Sequence, residues 1–176
     1  MATMAATRTD SMLDDYLDGL KNAHALEKQA TQLINRQLER LQNYPEVETL
    51  LRRHLGETEQ QIVRLEEMLG TLGEEHSMLK DLATSITGNL AALGHTVMGD
   101  EILKNHFANH AFENFEIASY ISLITMAEQT GHTQHITGLQ QTLSEEERTA
   151  TTLREMTPEL TRKYLIRNAS GAKADR

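Results

Sequence analysis

Apolar residues return along this chain at the spacing of helices. Leu13, Leu20, Leu26, Ala30, Ile34, Leu38 and Leu41 recur at helical spacing, predicting a first helix from the candidate caps Thr9, Asp10 and Ser11 to about Gln42. Asn43-Tyr44-Pro45 stops it, because proline restricts the residue before it and suits the first turn of a new helix. A second helix, about Glu46 to Leu69, carries Leu51, Leu55, Thr58, Ile62, Leu65 and Leu69 on one face. Gly70 and Gly73 break the pattern, and a weaker helix is expected around 75–93, bounded by Gly94 and Gly99. A third long helix covers about Asp100 to Gln129, ending in the turn Thr130-Gly131-His132. The fourth, about Thr133 to Met156, has the stripe Ile136, Leu139, Leu143, Ala150 and Leu153.

Short turns join helices 1 and 2 and helices 3 and 4, so each pair is an antiparallel hairpin. The longer stretch between the hairpins reads as a crossover containing the extra short helix. The expected fold is all-α, a four-helix bundle in the ferritin-like arrangement. Residues 1–11 are expected to be disordered and 12–157 to form the bundle. Pro158 is read as opening a short C-terminal segment, 158–176, that ends in a mobile tail.

Composition narrows the function. A net charge of −9 argues against nucleic acid as a partner, since phosphate binding needs clustered Lys and Arg. The longest apolar runs, such as Ile121–Ala127, are too short to span a bilayer. The absence of cysteine excludes disulfides, thiolate metal sites and iron–sulfur clusters. The opening MATMAATRTD has no basic and apolar signal pattern, and a cytoplasmic protein is expected.

Candidate chemistry lies in acids that share the apolar stripes. Glu27 falls in register with Leu20, Ala30 and Ile34, and Glu146 lies between Leu143 and Ala150 with Glu147 beside it. Glu113 and Glu116 sit among Phe112, Phe115, Ala118 and Tyr120, while helix 2 offers Glu57 and, a turn earlier, His54. An isolated buried carboxylate takes up a proton or finds a partner, and several converging carboxylates suit one or two cations. Oxygen donors with an occasional imidazole favour iron or manganese. His24–Glu27, His54–Glu57 and His110–Glu113 each place a His three residues before a Glu, on one helical face.

Plainer readings stand beside these. Glu27 has Lys28 and Arg36 as salt-bridge partners, and a solvated face accounts for one or two of Glu145, Glu146 and Glu147. His54 equally suits a helix end or a pair with Glu57. His24, His132 and His135 read as surface residues, the eight methionines as packing, and Tyr120 as a packing residue with a hydroxyl to donate.

The strings AHALEKQ (23–29), HLGETEQQIVRLEEMLGTLG (54–73), FENFEIASY (112–120) and TLSEEERTATTL (142–153) resemble the YciE/YciF-type family of ferritin-like metal-binding proteins. The resemblance spans about residues 12 to 157. It implies a bundle with a dinuclear metal site, a homodimer, and a link to stress without a settled reaction. Residue by residue, it implies ligands at Glu27, Glu57, Glu113 and Glu116, and at Glu147 with Glu146 as its rival. The chain departs from the pattern at Thr151, where relatives carry an acid, and at His110, where they often carry Gln. A Glu-x-x-His motif is missing from helices 2 and 4, where Gln60 and Ala150 follow Glu57 and Glu147 by three. Two functions follow: an iron or manganese protein reacting with oxygen or peroxide, or a structural bundle whose site has degenerated.

Overall fold

The computed structural model describes residues 2–74 and 100–175, with side chains from Ser11 onward. Among the described residues the elements are α1 (Ala2–Arg40), α2 (Pro45–Thr71), α3 (Glu101–Thr130), a 3-10 turn (Thr133–His135) and α4 (Ile136–Ala169). Among the described residues there is no strand, as expected. Pro45 takes the first position of α2, where its missing N–H costs nothing, and Gly131 closes α3 in the left-handed conformation at φ 79°.

Helix α1 packs on α2 and α3, and α4 packs on α3 and α2. Cross-helix pairs fix the directions. Arg40 meets Glu101 and Glu27 meets Tyr120, so α1 and α3 are antiparallel. Glu46 meets Lys163 and Thr71 meets His135, so α2 and α4 are antiparallel too. Glu74 pairs with Lys21 and Glu101 with Arg40, nineteen residues apart on α1, so α2 ends and α3 begins at opposite ends of the bundle. The expected crossover and its helix at 75–93 lie outside the described residues.

Two apolar clusters cap a polar midsection. Tyr16, Leu20, Leu65, Leu69, Leu123 and Leu139 pack at one end, and Ile34, Tyr44, Val47, Leu51, Ile102 and Leu160 at the other. Each fully buried Leu or Ile stabilises by about 1.5–3 kcal/mol, and these clusters fix the helix register between them. Helices α1 and α3 come close at Gly19, where a β-carbon would lie 2.9 Å from Leu123.

Three boundaries differ from expectation. Helix α1 begins at Ala2, ahead of the candidate caps, because the Ala- and Met-rich start contains no helix breaker. Pro158 lies inside α4 rather than ending it. It is exposed, and Arg154, whose carbonyl loses an amide partner, is exposed with it, while buried Leu153 and Leu160 hold the helix on either side. The C-terminal tail is docked, not loose: the Tyr44 hydroxyl donates to the Ala174 carbonyl at 2.5 Å, and the Ile102 amide to the Asp175 carbonyl at 2.8 Å.

Candidate metal centre

Acidic side chains on the inward stripes meet in the midsection because each replaces an apolar residue in a regular helical repeat. Helix α2 contributes His54, α3 Glu113 and Glu116, and α4 Glu146. One donor atom from each lies within 4.8 Å of all the others. Glu116 and Glu146 are fully buried, and His54 and Glu113 nearly so. Glu27 of α1, 1% exposed, reaches the same interior and feels the charge of Glu146 and Glu113.

Few of these atoms are satisfied. Tyr120 donates to Glu27 Oε1 at 2.5 Å. The Gln61 amide donates to Glu146 Oε1, and to Glu145 Oε2 at 3.1 Å. His54 Nε2 is 3.1 Å from Glu113 Oε1 but is not aligned for a hydrogen bond, and its Nδ1 is 3.4 Å from Thr149 Oγ1. Glu27 Oε2, Glu113 Oε2, Glu146 Oε2 and both oxygens of Glu116 are buried without a hydrogen-bond partner.

Burial and mutual repulsion set the protonation. Burial, then the Glu146 charge, lifts Glu27 well above the usual carboxylate range, with the Tyr120 bond acting against them. Burial, then Glu27, does the same to Glu116. Glu113 is pushed up to about 7 and Glu146 to about 9, burial being the main cause for both. Burial and the neighbouring Glu27 raise the Tyr120 phenol well above its ordinary value. A bound cation reverses this balance by favouring the ionised carboxylates.

The donor chemistry fits such a cation. Carboxylate oxygens with one imidazole suit iron or manganese, and an unpartnered buried carboxylate oxygen is costly without one.

Of the residues singled out in the sequence, Glu27, His54, Glu113, Glu116 and Glu146 come together. Glu147 does not: one position further along α4 is a rotation of about 100°, which leaves it exposed. It lines an outer groove with His110, which is half-buried on the outward side of α3. Glu57 sits at the rim, its Oε1 taking a 2.7 Å hydrogen bond from Arg148 and its Oε2 lying 4.0 Å from His54 Nδ1. On α2, His54 stands 3.1 Å from Glu113, and Glu57 flanks it with a buried, unpartnered Oε2. His24 and His135, read as surface residues, are buried at 2% and 4% exposure. His24 Nε2 is 3.0 Å from Glu66, and both ring nitrogens of His135 have partners. Gln61 was missed by the sequence reading, although it lies seven residues after His54 and three after Thr58 on the same buried stripe.

The chain matches the model of the domain of unknown function DUF892 over residues 11–166. It belongs to the DUF892 family. Solved structures share the fold of this chain. One is a protein from Xanthomonas campestris pv. campestris, 26% identical with a TM-score of 0.70, covering 90% of this chain and 99% of that one. Another is YcfI from Rhodopseudomonas palustris, 27% identical with a TM-score of 0.64, covering 81% and 92%. The E. coli stress protein YciF is 24% identical with a TM-score of 0.66, covering 83% and 94%, a likeness of fold. These matches support the YciF-type resemblance seen in the DUF892 sequence itself.

Proposed function

We propose that this chain is a ferritin-like protein holding a pair of iron or manganese ions in the midsection of its bundle. The observation that carries the reading is the convergence of Glu27, Glu113, Glu116, Glu146 and His54 with most of their inward atoms unpartnered. Four carboxylates balance two divalent cations in charge, which favours a dinuclear site. Bound metal would supply a redox-active Lewis acid.

The residues have separate tasks in this account. His54, Glu113, Glu116 and Glu146 hold the metal, and Glu27 completes the set from α1. Gln61 orients Glu146 through its amide, and Tyr120 keeps a proton on the hydrogen bond to Glu27. The two apolar clusters exclude bulk water from both ends. Reaction with oxygen or peroxide is the chemistry that this donor set suits, and a cytoplasmic stress response is the setting we propose for it, YciF itself being a stress protein. Among the described residues, no helix is long and apolar enough to cross a membrane.

Single-turnover oxidation of anaerobically loaded Fe(II), followed in the near ultraviolet, tests the reactivity. A rate equal to that of Fe(II) in buffer would leave binding without turnover. The alternative is a structural bundle whose acids are neutralised by protons, and the elevated protonation of Glu113 and Glu146 favours it. Elemental analysis of protein purified without chelators separates the two: a metal-free product supports the structural bundle.

We further propose a homodimer through the outer face of α3. From Asn105 to Ala127 the only charged residues are the buried Glu113 and Glu116, and Phe107, Phe115 and Ile121 are each about half exposed. Antiparallel pairing of two copies about the middle of α3 buries no charge and brings Lys104 of each near Glu128 of the other. Sedimentation should show a dimer that Phe115→Glu converts to a monomer. A monomeric wild type would overturn this.

A further inference from the structure

Next to the His54 and Glu113 side of the centre lies a cavity of about 20 Å³ between all four helices. Most of its lining is apolar: Ala30, Leu33 and Ile34 of α1, Leu50 and Leu51 of α2, Phe112 of α3 and Leu153 of α4. This volume exceeds the 10–15 Å³ or so that one water needs, so it has room for a diatomic molecule. A water there would find polar partners only at His54, Asn109, Glu113 and Thr149, and the rest of the lining offers none. A second void, about 10 Å³, lies beyond Asn109 and shares Leu51 and Asn109 with the first as walls. Gln37 and Arg40 line its outer side. Between α1 and α3 at this junction, Gln37 and Asn109 exchange two amide hydrogen bonds, of 2.8 and 2.9 Å.

We infer that this cavity is the holding site for dioxygen, reached along the α1–α3 seam past the Gln37–Asn109 pair. The inference rests on the metal-centre reading for its purpose, but the cavity itself does not depend on metal. The apolar part of the lining accepts an uncharged, apolar diatomic without desolvation cost, whereas peroxide would be paired only on the side of His54, Asn109, Glu113 and Thr149 and left unpaired against Leu33, Phe112 and Leu153. The amide pair closes the seam with groups that satisfy each other, so it opens by rotating two side chains instead of parting two helices. Gln37 and Asn109 are thus positioning residues for entry and do not touch the metal ligands' donor atoms.

Crystals of the metal-free protein pressurised with krypton, an uncharged electron-dense probe near dioxygen in size, test the site directly. The expected result is a krypton peak bounded by Leu33, Phe112 and Leu153. Leu33→Phe should abolish the peak by filling the space, and Leu33→Ala, which removes volume, should strengthen it and guards against misfolding of the larger variant. Gln37→Ala should leave the peak in place and speed dioxygen-dependent Fe(II) oxidation, with Mn(II) affinity unchanged. An empty cavity in wild type and in Leu33→Ala under pressure would overturn the inference, as would ordered water in place of krypton. Krypton in the cavity of a protein that binds neither Mn(II) nor Fe(II) would instead overturn the metal reading and leave an apolar gas site.

Discussion

Two parts of the bundle bury polar side chains and treat them in opposite ways. At the Tyr16 end, the Tyr16 hydroxyl is 2.9 Å from His135 Nδ1, and His135 Nε2 is 2.9 Å from Thr71 Oγ1. Every one of these polar atoms has a neutral partner of matching geometry. In the midsection, five titratable side chains face each other and most of their inward oxygens have no partner. A buried polar atom left alone costs about 1–3 kcal/mol, and more if charged. A purely structural network gains by pairing such atoms, as the Tyr16 end does. On the proposed function, the midsection carries its cost because a cation would complete it, and the contrast separates the buried polar cluster that would bind from the one that holds.

The largest effects should appear where this contrast is removed at the centre. Glu116→Gln and Glu146→Gln should each lower Mn(II) affinity by roughly 100-fold or more, since even groups outside the coordination sphere cost about 10–100-fold. Calorimetric titration reads this, and wild-type affinity in both variants would make the midsection another structural network. Next comes pH. Glu27, Glu113, Glu116 and Glu146 all have folded pKa values raised above the unfolded range, so the folded metal-free protein binds more protons than the unfolded one. Their stabilisation is complete below about pH 4.3. For Glu113 it is lost on the way up to about 7, and for Glu146 up to about 9. Melts with chelator should therefore show stability falling from pH 5.5 to 7.5, on the order of 3 kcal/mol, and Mn(II) should flatten or reverse that slope. Stability that rises over this window with chelator would mean that the acids are already paired.

Glu27→Gln should stabilise the metal-free protein at pH 7.5 by about 1–3 kcal/mol, because it removes the cost of protonating a carboxyl that the interior keeps from ionising. Its melt falling below wild type would put Glu27 outside the anionic set. At the other end, Tyr16→Phe should destabilise by about 1–2 kcal/mol through the abandoned His135 nitrogen, with Mn(II) affinity unchanged. A drop in affinity there would show that the two regions are coupled. The smallest effects belong to the outward residues. Glu147→Ala and His110→Gln should each stay within about 0.5 kcal/mol and leave metal affinity at wild type.

The acids of the centre were legible because helical spacing alone turns them inward. Glu27 stands in register with buried Leu20, Ala30 and Ile34, Glu146 with buried Leu139, Ala150 and Leu153, and Glu116 with buried Tyr120 and Leu123. Glu113, by contrast, shares its face with Tyr120 and other polar residues and is marked only by the aromatic stretch around it. Spacing could not separate neighbours that share a flank of the helix. Glu146 and Glu147 differ by one position, and only the packing of α4 against α2 turns one to Gln61 and the other to water. His54 and Glu57 share a face, but Arg148 on α4 draws Glu57 to the rim. Tyr16 and His135 stand 119 residues apart, so no local pattern announces their bond. Pro158 followed a sound local rule that tertiary packing of Leu153 and Leu160 overrides.

Crystals grown with Mn(II) and recorded on both sides of the manganese absorption edge address the central claim most directly. The account predicts an anomalous peak in the midsection, within bonding distance of carboxylate oxygens of Glu116 and Glu146 and of His54 Nε2. A midsection without a peak in fully folded protein, or manganese bound only at outward acids such as Glu147, would contradict it.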